Sequence, residues 1–179
     1  MKKILAFALA IVMVLALGAC SFGGTQTEEK KVKEITNAVS TPDEAIDTKK
    51  YADNLDGLCA YMADKNCVYD FEKSTADEVI DPIVMDADLI GADAGYKFIY
   101  KYEGSEVVLE LYSYSKFDTK WYKQVKEDGK ITVSEDVENG TFDAILSKNG
   151  KYLMVYTDAA NRTERRDAVI KIFNSFDVK

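Results

Sequence analysis

Histidine is absent from this 179-residue chain, and 23 Lys and Arg stand against 31 Asp and Glu. Without imidazole there is no His-based triad, no HExxH zinc site and no imidazole proton shuttle. Without a basic tract there is no footprint for nucleic acid, because phosphate contacts need clustered Lys and Arg. No apolar run reaches the roughly 20 residues that a permanent transmembrane helix needs. No GxSxG elbow, SxxK pair or phosphate-cradling glycine loop occurs either. Paired carboxylates remain open as acid–base chemistry, but among 31 acids a chance pairing carries no information. The sequence therefore assigns no catalytic residue, no cofactor and no metal. What it does hold is 47% apolar residues, among them 20 aromatics, which excludes disorder for the body of the chain. The length suits one domain.

The N-terminus carries the most specific pattern. Lys2 and Lys3 form a positive n-region, and residues 4–17 (ILAFALAIVMVLAL) are an uninterrupted apolar stretch of signal-peptide length. The stretch ends in Leu17-Gly18-Ala19-Cys20, which resembles the lipobox of bacterial lipoproteins. In that family the cysteine sulfur receives a diacylglyceryl group, and cleavage before it makes the cysteine the new N-terminus. The resemblance implies a signal peptide over residues 1–19, lipidation at Cys20 and a place on the outer face of the cell membrane. Two acyl chains anchor stably where one binds only marginally. Loss of Lys2 and Lys3 with the leader takes the formal net charge from −8 to −10.

Residues 20–40 read as the lipidated N-terminus and a flexible tether. The run SFGGTQTEEKKVK (residues 21–33) offers little to bury and behaves as a solvated spacer. The single globular domain is expected over residues 41–179. Thr41-Pro42-Asp43-Glu44 has capping-box spacing with Pro suited to the first helical position. Tyr51, Leu55, Leu58, Cys59 and Met62 then recur at helical spacing, which predicts a core-facing helix over residues 48–64.

Past Met85 the pattern changes to strands and turns. Tyr96, Phe98, Tyr100 and Tyr102 alternate with Lys97, Ile99 and Lys101, and the alternation resumes at Val107, Leu109 and Leu111. A two-residue turn at Gly104-Ser105 would set Tyr102 against Val107, Tyr100 against Leu109 and Phe98 against Leu111. Asp128-Gly129 and Asn149-Gly150 predict two further hairpins. In the Asn-Gly hairpin Phe142, Ala144, Leu146, Leu153 and Val155 share one face, and Ile145, Tyr152, Met154 and Tyr156 share the other. Two apolar faces call for cover on both sides. Asn161-Arg162-Thr163-Glu164 again has capping-box spacing, followed by Val169, Ile172, Phe173 and Phe176 at i, i+3, i+4 and i+7. The expected fold is α+β: an N-terminal helix, antiparallel hairpins in one sheet, and a C-terminal helix packed on it.

Three sets of side chains carry candidate chemistry. Cys59 and Cys67 fit both a disulfide closing the helix–loop junction and two separate buried thiols. Asp81, Asp86, Asp88 and Asp93 cluster as in a calcium loop, but Ile90 and Lys97 stand where ligand oxygens belong, so a solvated acidic loop is expected. Six of eleven tyrosines fall between Tyr96 and Tyr122, where an exposed aromatic face would stack on sugars or grip a peptide. The alternation sends Tyr96, Tyr100 and Tyr102 to the core, leaving Tyr112, Tyr114, Trp121 and Tyr122 as candidate ligand contacts.

The order LDGLCAYM, LIGADAGYKF, SKNGKYLMVY and a closing helix is similar to small envelope lipoproteins of Gram-positive bacteria, a resemblance of structural motifs that implies no ligand. The reading that follows is a lipid-anchored, non-enzymatic binding or accessory module. The alternatives are an envelope hydrolase using paired carboxylates and an inhibitory or structural protein acting by protein–protein contact. A shallow groove lined by Tyr112, Tyr114 and Trp121 would favour the first, buried acids with raised pKa the second, and an exposed apolar patch or free sheet edge the third.

Overall fold

Strand β3 (Ala94–Tyr102) and strand β4 (Ser105–Ser113) form the longest hairpin of the fold, nine residues each, and the other elements assemble around it. The computed structural model describes residues 32–71, 81–132 and 140–178; the leader, Cys20 and residues 21–31 of the tether lie outside the described residues. In chain order the remaining elements are β1 (Glu34–Ile35), helix α1 (Leu55–Asp64), β2 (Ile83–Val84), a 3-10 turn (Ala87–Ile90), helix α2 (Lys120–Asp128), β5 (Lys130–Thr132), β6 (Thr141–Leu146), β7 (Tyr152–Thr157) and helix α3 (Thr163–Ser175). The architecture is mixed α/β, with one main sheet in the order β1-β3-β4-β7-β6-β5; β2 pairs with β3 beside β1. Only the β1–β3 pairing is parallel among the described strands.

The described chain opens on a strand, not a helix. Ile35 is buried, and Lys33 accepts a hydrogen bond at its carbonyl from the Lys101 amide (2.7 Å). Residues 34–40, assigned by composition to the tether, thus begin the fold. The Thr41-Pro42-Asp43-Glu44 spacing caps nothing, and the helix expected from residue 48 starts at Leu55. Its cap is Asn54, whose side-chain oxygen accepts from the Gly57 amide (2.8 Å). Tertiary bonds draw the preceding residues out of a helical path. The Tyr51 hydroxyl donates to Asp64 (2.6 Å), and Asp53 is taken by Lys151 and by the Tyr152 hydroxyl (3.0 Å).

The doubled-back segment lies on the first turn of α1. An added Cβ on Gly57 would stand 2.0 Å from the Ala52 carbonyl oxygen. Gly57→Ala is therefore expected to destabilise the domain by about 2 kcal/mol or more, as overpacking does, although Ala gains about 1 kcal/mol in helix propensity. Thermal unfolding checks this, and a raised midpoint would contradict the contact.

The β3–β4 turn falls at Glu103-Gly104, where both residues have positive φ (48° and 74°), one step earlier than expected. The pairs are Tyr102↔Ser105, Tyr100↔Val107 and Phe98↔Leu109, a shift of two residues that keeps every apolar side chain on its face. The Asp128-Gly129 hairpin does not form. Residues 121–125 (WYKQV) are helical, capped by the Thr119 hydroxyl accepting from the Tyr122 amide, and Gly129 (φ 65°) is the left-handed residue that ends α2. The Asn149-Gly150 hairpin has the expected register, with Leu146↔Leu153 and Ala144↔Val155.

Each sheet face has its own core. On one, Phe98, Tyr100, Val107, Leu109, Leu111, Tyr152 and Met154 pack under α1 and α3, where Val169, Ile172, Phe173 and Phe176 are buried as their spacing predicts. On the other, Tyr112, Leu153, Val155 and Ala144 pack under α2 and the 3-10 turn.

Candidate functional site

The residues that the sequence nominated do not converge. Cys59 and Cys67 are two free, buried thiols, not a disulfide. Burial pushes the Cys67 thiol up to about 12 and the Cys59 thiol higher, so neither forms a reactive thiolate near neutral pH. Tyr112, Tyr114 and Tyr122 are buried in the second core, which overturns their candidacy as ligand contacts. The Tyr112 hydroxyl donates to Glu110 (2.8 Å) and the Tyr114 hydroxyl to the Ile90 carbonyl (3.2 Å). Because residues 121 and 122 are helical, Tyr122 turns inward while Trp121 is left half-buried on the flank. Among the described residues no group of three or more acids or cysteines is placed to hold a metal ion, and Asp81, Asp86, Asp88 and Asp93 are all exposed. Cys20 lies outside the described residues.

A dense polar cluster lies at the start of α3. All three arginines of the chain fall in Arg162, Arg165 and Arg166, at the start of α3. Asp158, at the end of β7, has a fully buried carboxylate that accepts from the Tyr156 hydroxyl (2.8 Å), the Ala159 amide (2.7 Å) and Arg162 Nη1 (2.9 Å). Arg162 serves as this ion-pair partner, and its position caps α3 without any side-chain cap bond, so the capping box expected at residues 161–164 is not made.

Arg165 is buried beside Asp158, with Nε 3.7 Å from the carboxylate and its guanidinium 3.9 Å from the centre of the Tyr102 ring. Its Nη2 donates to the Tyr100 hydroxyl (3.3 Å), while Nε and Nη1 have no hydrogen-bond acceptor among the described residues. The Tyr100 hydroxyl in turn donates to the Cys67 carbonyl (2.6 Å). Burial raises the Tyr100 and Tyr156 hydroxyls well above the ordinary phenol range, so both stay protonated donors. The Asp158 carboxylate and Arg165 are shut off from solvent, and the cluster ties β3, β7, α3 and the segment after α1 together. Three arginines within five residues, in a chain otherwise using lysine, was the signal for it.

Among the depressions on the surface of the described residues, two stand out. The larger, about 520 Å³, is lined by Asp43, Asp47, Lys50, Tyr51, Asp64 and Lys65, whose charges pair as Lys50–Asp64 (2.7 Å) and Lys65–Asp43 (2.7 Å). The smaller, about 270 Å³, runs beside Val84, Met85 and Tyr96 next to the outer strand β2. Ile83 is 49% and Val84 76% exposed there. A third surface, beside α2, presents lysines and Phe117, 50% exposed, whose ring is tilted against that of Tyr122 at 5.4 Å. No helix among the described residues is long and apolar enough to cross a membrane. No protein-family model, curated protein or solved structure matches this chain.

Proposed function

We propose that this chain is a lipid-anchored cell-envelope protein on the outer face of the cell membrane, and that its domain is a non-enzymatic binding or accessory module. The observation that carries this reading is the order of Lys2-Lys3, the apolar run of residues 4–17 and Leu17-Gly18-Ala19-Cys20. A diacylglyceryl group on the Cys20 sulfur is the membrane attachment. The tether of residues 21–33 fits it: the first strand begins at Glu34, leaving 13 residues between lipid and fold. A flexible chain of that length has an r.m.s. span of about 20 Å, which keeps the domain close to the bilayer.

Cys20→Ala is expected to abolish palmitate labelling and leave an unprocessed precursor, because no other group in the motif can accept the diacylglyceryl chain. Metabolic labelling with radioactive palmitate reads this directly, and equal labelling of variant and wild type would overturn the anchor.

A second reading has one observation in its favour. Strand β2 is an outer strand with two exposed β-branched residues, Ile83 and Val84, and such an edge suits contact with another protein.

A further inference from the structure

Strand β2 turns backbone hydrogen-bonding groups toward a side where no strand lies. It pairs antiparallel with β3 as Ile83↔Lys97 and Val84↔Tyr96, and the Met85 amide donates to the Gly95 carbonyl (2.9 Å). In such a ladder every second residue aims its amide and carbonyl at the partner strand. Ile83 and Met85 therefore face β3, and the amide and carbonyl of Val84 point outward. Among the described residues β2 pairs with no strand other than β3. The same strand borders the depression of about 270 Å³, which Asp86, Asp88 and Asp93 line together with Val84, Met85 and Tyr96. The three acids are exposed and form no ion pair among the described residues. Residues 81–96 contain no Lys or Arg, and Lys97 is taken by Glu110 (3.0 Å).

We infer that β2 accepts an extended, cationic segment of another protein as an added strand. The inference rests on the second reading above, in which β2 meets another protein. The added strand supplies an acceptor for the Val84 amide and a donor for its carbonyl, and its alternate side chains reach the depression. Three unpaired carboxylates there select Lys or Arg for those side chains and reject an acidic segment. A second copy of this chain is a poor occupant, because it carries a net charge of −8 and brings the same acids to the edge. Pro82 lies on the same outer register as Val84 and has no amide to donate, so the free edge is short. With so little backbone to pair, charge decides which segment binds.

The probe is a short fluorescein-labelled peptide of alternating Lys and Thr, titrated with the full chain in neutral detergent and followed by fluorescence anisotropy. Binding is expected for it and not for the matching peptide of Glu and Thr, with loss in 1 M salt, where the Debye length is about 3 Å. Asp86→Asn, Asp88→Asn and Asp93→Asn together should weaken binding on the order of tenfold, as three exposed charge contacts are lost. Val84→Pro removes the outward amide, leaves the bonds to β3 in place, and should weaken binding on the order of tenfold as well. Circular dichroism confirms that both variants are folded. Failure of the lysine peptide to bind overturns the inference. Equal binding of the two peptides keeps β2 as a contact edge and overturns the cationic partner. Binding that the three Asn substitutions abolish but Val84→Pro leaves unchanged does the reverse: the charge preference stands and contact along β2 fails. Binding that appears only after Lys30→Gln and Lys31→Gln places the chain's own tether at this edge, and self-association that Val84→Pro abolishes places a second copy there; either overturns the inference.

Discussion

Asp158→Ala is expected to lower the stability of the domain by about 3–5 kcal/mol, the cost of leaving a buried charge without its partner. Against a total of about 5–15 kcal/mol for a domain, that is a large share. The carboxylate is the anion shared by Arg162 and Arg165, whose side chains are only 11% and 6% exposed. Of the other acids, Glu103 pairs with Arg162 at 3.4 Å, but it is 66% exposed and gives a screened contact. Removal also strips the acceptor from the Tyr156 hydroxyl and the Ala159 amide. Arg165→Met in the Asp158→Ala background should recover part of the loss, because the apolar side chain refills the volume without a charge. Urea midpoints of the two variants check both statements. A single variant within about 0.5 kcal/mol of wild type would show that the cluster contributes nothing to holding α3.

The second large effect is expected at Phe173. It is fully buried in the core between α3 and the sheet, together with Val169 and Ile172. Phe173→Ala should cost about 3–5 kcal/mol through lost burial and the cavity left behind. Lys171, exposed on the outer side of the same helix, should cost within about 0.5 kcal/mol when replaced by Ala. The ratio of the two urea shifts therefore measures how firmly α3 is seated. Equal shifts would make the helix a free appendage. Nearby, Phe176 packs against Tyr61 at 5.5 Å and Tyr152 at 5.6 Å, which extends that contact past the end of the helix.

Alternation located β3, β4, β6 and β7 because the side-chain period in a strand is two, and each has at least one buried face. The same period explains the error in the first hairpin. A slip of one residue moves every apolar side chain to the wrong face, but a slip of two leaves all of them in place. Only the backbone of the turn, with Glu103 and Gly104 in the left-handed region, distinguishes the two registers. The segment around Trp121 failed for a different reason. WYKQV is rich in aromatic and β-branched residues and precedes Asp-Gly, so it resembles a strand before a turn. Thr119 as cap and Gly129 as terminator describe the same residues equally well as a helix, and packing of Tyr122 and Val125 on the sheet selects that alternative. That choice turned Tyr122 inward, while Tyr112 and Tyr114 are buried because α2 and the 3-10 turn cover the second face of the sheet, a contact between segments that alternation does not record.

The sequence by itself determined the apolar faces of the sheet strands and the stripe of the closing helix. It also held the N-terminal pattern from which the anchor is proposed. These are local or periodic features, readable wherever burial repeats at a fixed interval. The tertiary structure decided the rest. It drew residues 34–40 into the fold, began α1 at Leu55, kept Cys59 and Cys67 apart as thiols, and brought Asp158, Arg162 and Arg165 against Tyr100 and Tyr102 across some sixty residues of chain. Such contacts leave no period in the sequence, because their energy depends on partners that only the folded chain brings together and on the low dielectric created once water is excluded.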